Sequence, residues 1–178
     1  MAAISIGDVA PDFNLPDTDG KRHSLGEGGE SAPATVVYWT CNHCPYALAW
    51  HDRLIKVAND FTSQGVRFFA INSNDAKKYP DDSYEAMKER LKIEGGWPHP
   101  YLHDEDQEVA RAYGAERTPE IFVLDSDLRL RYHGAPDADY EDPVQDAAWL
   151  RTALDDILAG REVEVSETEP VGCTIKWK

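Results

Sequence analysis

Hydrophobic positions along this chain fall in short β-like runs and longer helical stripes, and the two kinds alternate. Thr35-Val36-Val37-Tyr38-Trp39 is β-branched and aromatic throughout, the pattern of a buried central strand. A helix is expected to follow from about Asn42, with Ala47, Trp50, Leu54, Val57, Ala58 and Phe61 at helical spacing on its core-facing side. Pro45 falls in its first turn, where a missing N–H costs little. Gly65 closes the connection, and residues 66–72, Val-Arg-Phe-Phe-Ala-Ile-Asn, read as a second buried strand. Ser73 to Asp82 is polar and reads as irregular. Ser83 to Glu94 then reads as a helix with Tyr84, Met87 and Leu91 on one face, ended by Gly95-Gly96. Trp97 to Pro100 is an extended lead into Tyr101-Leu102-His103, and Gln107 to Tyr113 is a short helix stopped by Gly114.

Ile121-Phe122-Val123-Leu124 is a fourth apolar run. The turn Asp125-Ser126-Asp127 folds it back on Leu128, Leu130 and Tyr132, which alternate with polar residues as an antiparallel partner would. A last amphipathic helix is expected from about Pro143 to Ala159, with Ala147, Leu150, Leu154, Ile157 and Leu158 facing inward. Ahead of all this, residues 8–25 carry an alternating stretch with prolines and an Asp-Gly turn, the mark of a short hairpin at a sheet edge. The βαβα order followed by a hairpin predicts an α/β fold: a central mixed sheet flanked by helices. With no internal repeat and no linker, residues 1–178 read as one domain, and residues 161–178 as a C-terminal tail extension.

Composition narrows the partners. The chain has 178 residues and is 42% hydrophobic, enough for a proper core. Its 33 acidic against 18 basic side chains give a net charge of −15, which repels nucleic acid and anionic membrane. That field suits a neutral or cationic protein surface, and it also suits a high-salt cytoplasm. The start, Met1-Ala2-Ala3-Ile4-Ser5-Ile6-Gly7-Asp8, has neither a basic region nor an apolar h-region, and no run approaches the roughly 20 apolar residues of a membrane span. A cytoplasmic protein with reduced thiols at rest is expected.

The candidate chemistry lies in Trp39-Thr40-Cys41-Asn42-His43-Cys44-Pro45, which holds two of the three cysteines between a strand and a helix. On a starting helix that spacing brings two sulfurs within disulfide reach, and the helix N-terminus offers free N–H groups and a positive dipole end to the leading one. Thiolates, not thiols, attack disulfides and peroxides. Cys41 is therefore the expected nucleophile and Cys44 its resolving partner. His43, between them, would lower the Cys41 pKa further if protonated. Two other readings stand beside this one. The pair is half of a metal site completed by one of His43, His51, His99 and His103, or it is plain core.

Strand, C-x-x-C helix, strand, helix, Thr-Pro, hairpin and final helix together resemble the thioredoxin fold, from about Ala10 to Gly160. Ala10-Pro11-Asp12-Phe13 with its hairpin, and Tyr113-Gly114 through Thr118-Pro119 to Asp125, resemble the redoxin branch that includes peroxiredoxins and membrane-tethered thiol reductases. The chain is most similar to a peroxiredoxin-like group with Cys-Asn-His-Cys-Pro at the active site and a Gly-Cys-x-Ile-Lys-Trp tail, present here at Cys41–Pro45 and Gly172–Trp177. The resemblance implies a cis Pro119 opposite the cysteines. It also implies that the backbone of Thr118 pairs with a substrate chain.

Departures from the relatives matter too. Peroxiredoxins place a Thr or Ser three residues before the attacking cysteine, where this chain has Tyr38; Thr40 is adjacent to Cys41 instead. Arg117 lies near where a peroxidase would use an arginine. The buried acid of thioredoxins, six residues before the first cysteine, is here Thr35. Cys173 is read two ways, as a tail thiol that resolves an oxidised Cys41 or as a packed tail residue beside Ile175 and Trp177. The expected activity is thiol–disulfide exchange on protein or small-molecule disulfides, recharged by a thioredoxin-reductase-like donor. Reduction of peroxides and a metal-binding module are the rivals, and no cofactor is implied.

Overall fold

The computed structural model describes residues 4–178. The reading of Met1, Ala2 and Ala3 lies outside them. A five-stranded sheet forms the centre, built from β3 (Ala34–Trp39), β4 (Arg67–Asn72), β5 (Tyr101–His103), β7 (Glu120–Asp125) and β8 (Leu130–Gly134) in the order β5-β4-β3-β7-β8. Strand β3 runs parallel to β4 and antiparallel to β7, so the sheet is mixed. All six residues of β3 are buried, as a strand covered on both faces requires. The N-terminal hairpin, β1 (Asn14–Pro16) with β2 (Arg22–Ser24), is a separate pair that touches the β5 edge where Asp17 bridges Leu102.

Alternation along β3 divides the core. Ala34, Val36 and Tyr38 face α1 (Pro45–Thr62), α2 (Tyr84–Glu94) and α4 (Ala148–Leu158) through Trp50, Leu54, Met87, Leu150 and Leu154. Val37 and Trp39 face the N-terminal segment, α3 (Glu108–Tyr113) and Ile175 of the tail. The tail returns over this second face and adds β9 (Cys173–Thr174) antiparallel to β6 (Arg117–Thr118). Among the described residues no helix is long and apolar enough to cross a membrane.

Two helices differ from the sequence expectation. Helix α1 starts at Pro45, not Asn42, and Cys44 is its N-cap with φ −71° and ψ 124°. The ring of Pro45 clashes with a helical residue before it, which holds Cys44 extended. Cys41 therefore sits in the turn ahead of the helix and not on its first coil. The final helix begins at Ala148; Pro143–Gln145 is a separate 3-10 turn, and Asp146 and Ala147 have positive φ. Asp137 explains the break. Its buried carboxylate accepts the Ala147 N–H at 2.9 Å, the Trp50 indole N–H at 2.9 Å and the Arg53 guanidinium at 2.8 Å. That one side chain ties the α4 start to the middle of α1.

Candidate active site

The site forms where β3 ends and α1 begins, at the C-terminal edge of the parallel strands. Thr40 continues β3 by donating its N–H to Ile71 O at 2.9 Å, and the chain then turns through Cys41, Asn42 and His43. Asn42 fixes the turn. Its amide donates to Asp81 O at 2.8 Å, while its carbonyl oxygen accepts from Tyr101 Oη at 2.8 Å and Arg90 at 3.1 Å. Arg90 also holds Cys41 O at 3.1 Å. Both sulfurs are buried: Cys41 is 1% exposed and Cys44 0%.

Thr118 faces both cysteines, and the peptide bond to Pro119 is cis. Cys41 Sγ accepts the Cys44 backbone N–H at 3.3 Å and lies 3.5 Å from the Thr118 hydroxyl. Cys44 Sγ donates to the Thr118 carbonyl oxygen at 3.3 Å. The hydrogen bond between the two thiols, then burial, then the Asp82 carboxylate push Cys41 up, while the same bond, opposed by burial, pulls Cys44 down. That bond alone would put the first thiolate on Cys44. Outside the pair the two sulfurs also differ in their partners. Cys41 Sγ faces the Cys44 N–H and the Thr118 hydroxyl; Cys44 Sγ faces the Thr118 carbonyl oxygen, which favours the thiol, and the Ala47 N–H, which favours the thiolate.

Asp82 was not singled out from the sequence, yet it is the carboxylate of this site. It lies at the end of the 73–82 segment, which reads as a polar loop but is buried at Ser73, Asn74, Asp75 and Asp82. Its Oδ1 accepts from Asn42 N at 2.6 Å and Asn72 Nδ2 at 3.0 Å; its Oδ2 accepts from Asn74 Nδ2 at 3.0 Å and from His43 Nδ1. Nothing in local spacing marks it, because its partners come from β4 and from the cysteine turn. A buried carboxylate thus reaches the cysteine turn from another element. Thr35 accepts from Arg67 at 3.1 Å.

Several residues weighed from the sequence have their partners away from the sulfurs. Tyr38 donates its hydroxyl to His99 Nε2 at 3.1 Å, whose Nδ1–H goes to Pro100 O at 3.0 Å, inside the helix-covered core. Arg117 is exposed and bonds Gly172 O at 3.2 Å, so its side chain serves the tail and not Cys41 or Cys44. His51 pairs with Glu94, and His103 stacks on Tyr84. Of the four candidate metal histidines, only His43 is at the cysteines. Cys41, His43 and Asp82 do bring three donor atoms within 4.8 Å of one another. A carboxylate has about four lone-pair sites, and those of Asp82 are filled by four donors, which disfavours a metal there. Thr118 does not offer a free backbone edge either: it pairs with Cys173 of β9.

A strand–turn–helix dithiol facing a cis proline, on a mixed sheet covered by helices, defines a thioredoxin-like protein. The chain belongs to the Redoxin family, which matches residues 5–149. It is 26% identical over 130 residues to the thiol-disulfide oxidoreductase ResA of Geobacillus thermodenitrificans, covering 72% of this chain and 68% of that one. It is 27% identical over 146 residues to the chloroplastic peroxiredoxin Q of Suaeda salsa, covering 75% and 62%. A crystal structure of an uncharacterized conserved protein from Geobacillus kaustophilus is similar over 100% of this chain and 97% of that one, at 42% identity and a TM-score of 0.92. The family match ends at residue 149, ahead of the tail.

Proposed function

We propose that this chain is a thiol–disulfide oxidoreductase whose working pair is Cys41 and Cys44. The observation that carries the reading is the placement of the two sulfurs opposite the cis proline: Cys41 Sγ accepts the Cys44 N–H and lies beside the Thr118 hydroxyl, while Cys44 Sγ donates to the Thr118 carbonyl. The Cys41 thiolate attacks one sulfur of a substrate disulfide, forming a mixed disulfide and releasing the other sulfur as a thiolate. Cys44 loses its proton and attacks Cys41 Sγ, which frees the reduced substrate and leaves Cys41–Cys44 oxidised. A dithiol donor of the thioredoxin-reductase type then restores the pair. A substrate chain that used the Thr118 backbone would replace β9 there.

Similarity to peroxiredoxin Q supports a second reading, reduction of peroxides, in which Cys41 is oxidised to a sulfenic acid and Cys44 resolves it. The side chains favour the first. The residue three before Cys41 is Tyr38, which is spent on His99, and Arg117 is spent on the tail. Trp39, buried against Tyr113 and Phe122 and two residues from Cys41, reports the oxidation by its fluorescence. Stopped flow of the reduced protein against a model disulfide and against hydrogen peroxide separates the readings. Fast oxidation by the disulfide, with peroxide no faster than on a free thiol, is the expected result. Peroxide oxidation orders of magnitude above a free thiol would overturn it.

A further inference from the structure

Solvent reaches the three sulfurs unequally. Cys41 and Cys44 are buried, whereas Cys173 is half-buried. Cys173 is not adrift on a loose tail. Strand β9 sets its Cα opposite Thr118, the residue whose carbonyl takes the Cys44 S–H, and its side chain packs on the cluster of Cys41, Cys44 and Ala47. The approach is close enough to fix the preceding residue. A Cβ on Gly172 would sit 2.2 Å from the Thr118 carbonyl oxygen, so only glycine fits.

The anchors continue past the cysteine. Ile175 donates to Glu116 O at 2.8 Å and is 2% exposed in the second core. Lys176 donates its N–H to Asn74 Oδ1 at 2.9 Å and accepts from Asp75 N at 2.7 Å. Asn74 is the same side chain that donates to Asp82, so one amide joins the tail to the carboxylate of the dithiol turn.

We propose that Cys173 is the third member of a thiol relay, drawing the disulfide off the buried pair and presenting it at the surface as Cys44–Cys173. This rests on the oxidoreductase reading above. After turnover, the Cys173 thiolate attacks Cys44 Sγ; the S–S bond to Cys41 breaks and Cys41 leaves as a thiolate. Cys41 is the right leaving group, since the Cys44 N–H and the Thr118 hydroxyl stand ready for its charge. The Cys173 proton goes to water. An external thiolate, from a protein dithiol or a small thiol, then attacks the half-buried Cys173 Sγ and releases Cys44, which takes up a proton. A second external thiolate attacks the sulfur of the first, forming the external disulfide and releasing Cys173 as a thiolate. Two external thiols are oxidised to one disulfide and the protein is reduced, so electrons balance. In the resting protein burial, then the neighbouring Cys44, push the Cys173 thiol up to about 11, with Lys176 and Arg117 pulling the other way. Oxidation of Cys44 removes the second of those influences, so Cys173 becomes a better nucleophile when it is needed.

The test is a disulfide map of the full chain, oxidised with limiting oxidised glutathione, quenched in acid, alkylated and digested. The wild type is expected to yield a Cys44–Cys173 disulfide with Cys41 alkylated, alongside Cys41–Cys44. Cys173→Ser should hold only Cys41–Cys44 and be re-reduced by a dithiol donor about tenfold more slowly, the attack now falling on buried sulfurs. Gly172→Ala, which forces β9 off Thr118, should lose Cys44–Cys173 and keep Cys41–Cys44. Cys41→Ser should form Cys44–Cys173 directly, which checks reach without any turnover. Absence of Cys44–Cys173 from both wild type and Cys41→Ser, with equal re-reduction of wild type and Cys173→Ser, would overturn the relay. Failure of the underlying reading looks different: Cys41–Cys44 would form in none of these proteins.

Discussion

At the scale of single residues, Asp82 limits how acidic Cys41 becomes. The Cys44 N–H and Thr118 hydroxyl favour a Cys41 thiolate, while the Asp82 charge nearby opposes it. Removing that charge shows which influence is larger. With Cys44 and Cys173 replaced by serine, the ultraviolet absorbance of the remaining thiolate reports Cys41 alone. Asp82→Asn is expected to move that titration down by about one pH unit, the size of a like charge removed from a partly buried neighbour. A titration that stays or moves up would show that the four hydrogen bonds of Asp82, and not its charge, are what Cys41 feels. Its neighbours explain why the carboxylate tolerates full burial: Asn42, His43, Asn72 and Asn74 all donate to it.

At the scale of elements, the strands and helices were legible because their signals are local. The unbroken run at 35–39 and the stripe from Ala47 to Phe61 are periodic in sequence and buried in the structure. The dithiol was legible because C-x-x-C between strand and helix is a short-range pattern. What escaped is non-local. Asp82 meets the cysteine turn only after β4 has been laid beside β3, so no spacing announces it. The helix boundary at Pro45 has a local signal, since a residue before proline resists helix. The break before α4 had none, because Asp137 and Ala147 meet only when α1 packs alongside. Arg117 shows the opposite hazard. Its place beside the cis proline suggested a role at the sulfurs, but the tail, which lies beyond the family match, claims its side chain.

At the scale of the molecule, buried histidines tie the fold to pH. His99 is enclosed by Tyr38, Phe68 and Trp97, and burial lowers it to about 4 despite its bond to Pro100 O. Burial also lowers His51, beside Glu94 and Arg90, and His103. Such a group is neutral in the fold and binds a proton more readily in the unfolded chain, where its pKa is near 6.5. The stability it contributes is whole above that value and is lost as pH falls toward the folded pKa near 4. Denaturant unfolding should therefore lose on the order of 3 kcal/mol from His99 between those limits. His99→Gln is expected to be less stable at neutral pH yet to lose less over the same interval. An identical slope in both proteins would assign the acid sensitivity to other groups.

The whole molecule also decides access, because β9 and the cluster around it leave both working sulfurs buried. The most direct measurement of the central claim is covalent. In a Cys173→Ser background, Cys44→Ser and Cys41→Ser are each mixed with a model disulfide, and the adducts are mapped by mass spectrometry. Cys44→Ser should accumulate a stable mixed disulfide on Cys41, since nothing remains to resolve it, while Cys41→Ser should react slowly or not at all. A faster adduct on Cys44 in the Cys41→Ser protein would contradict the account and make the inner sulfur the nucleophile.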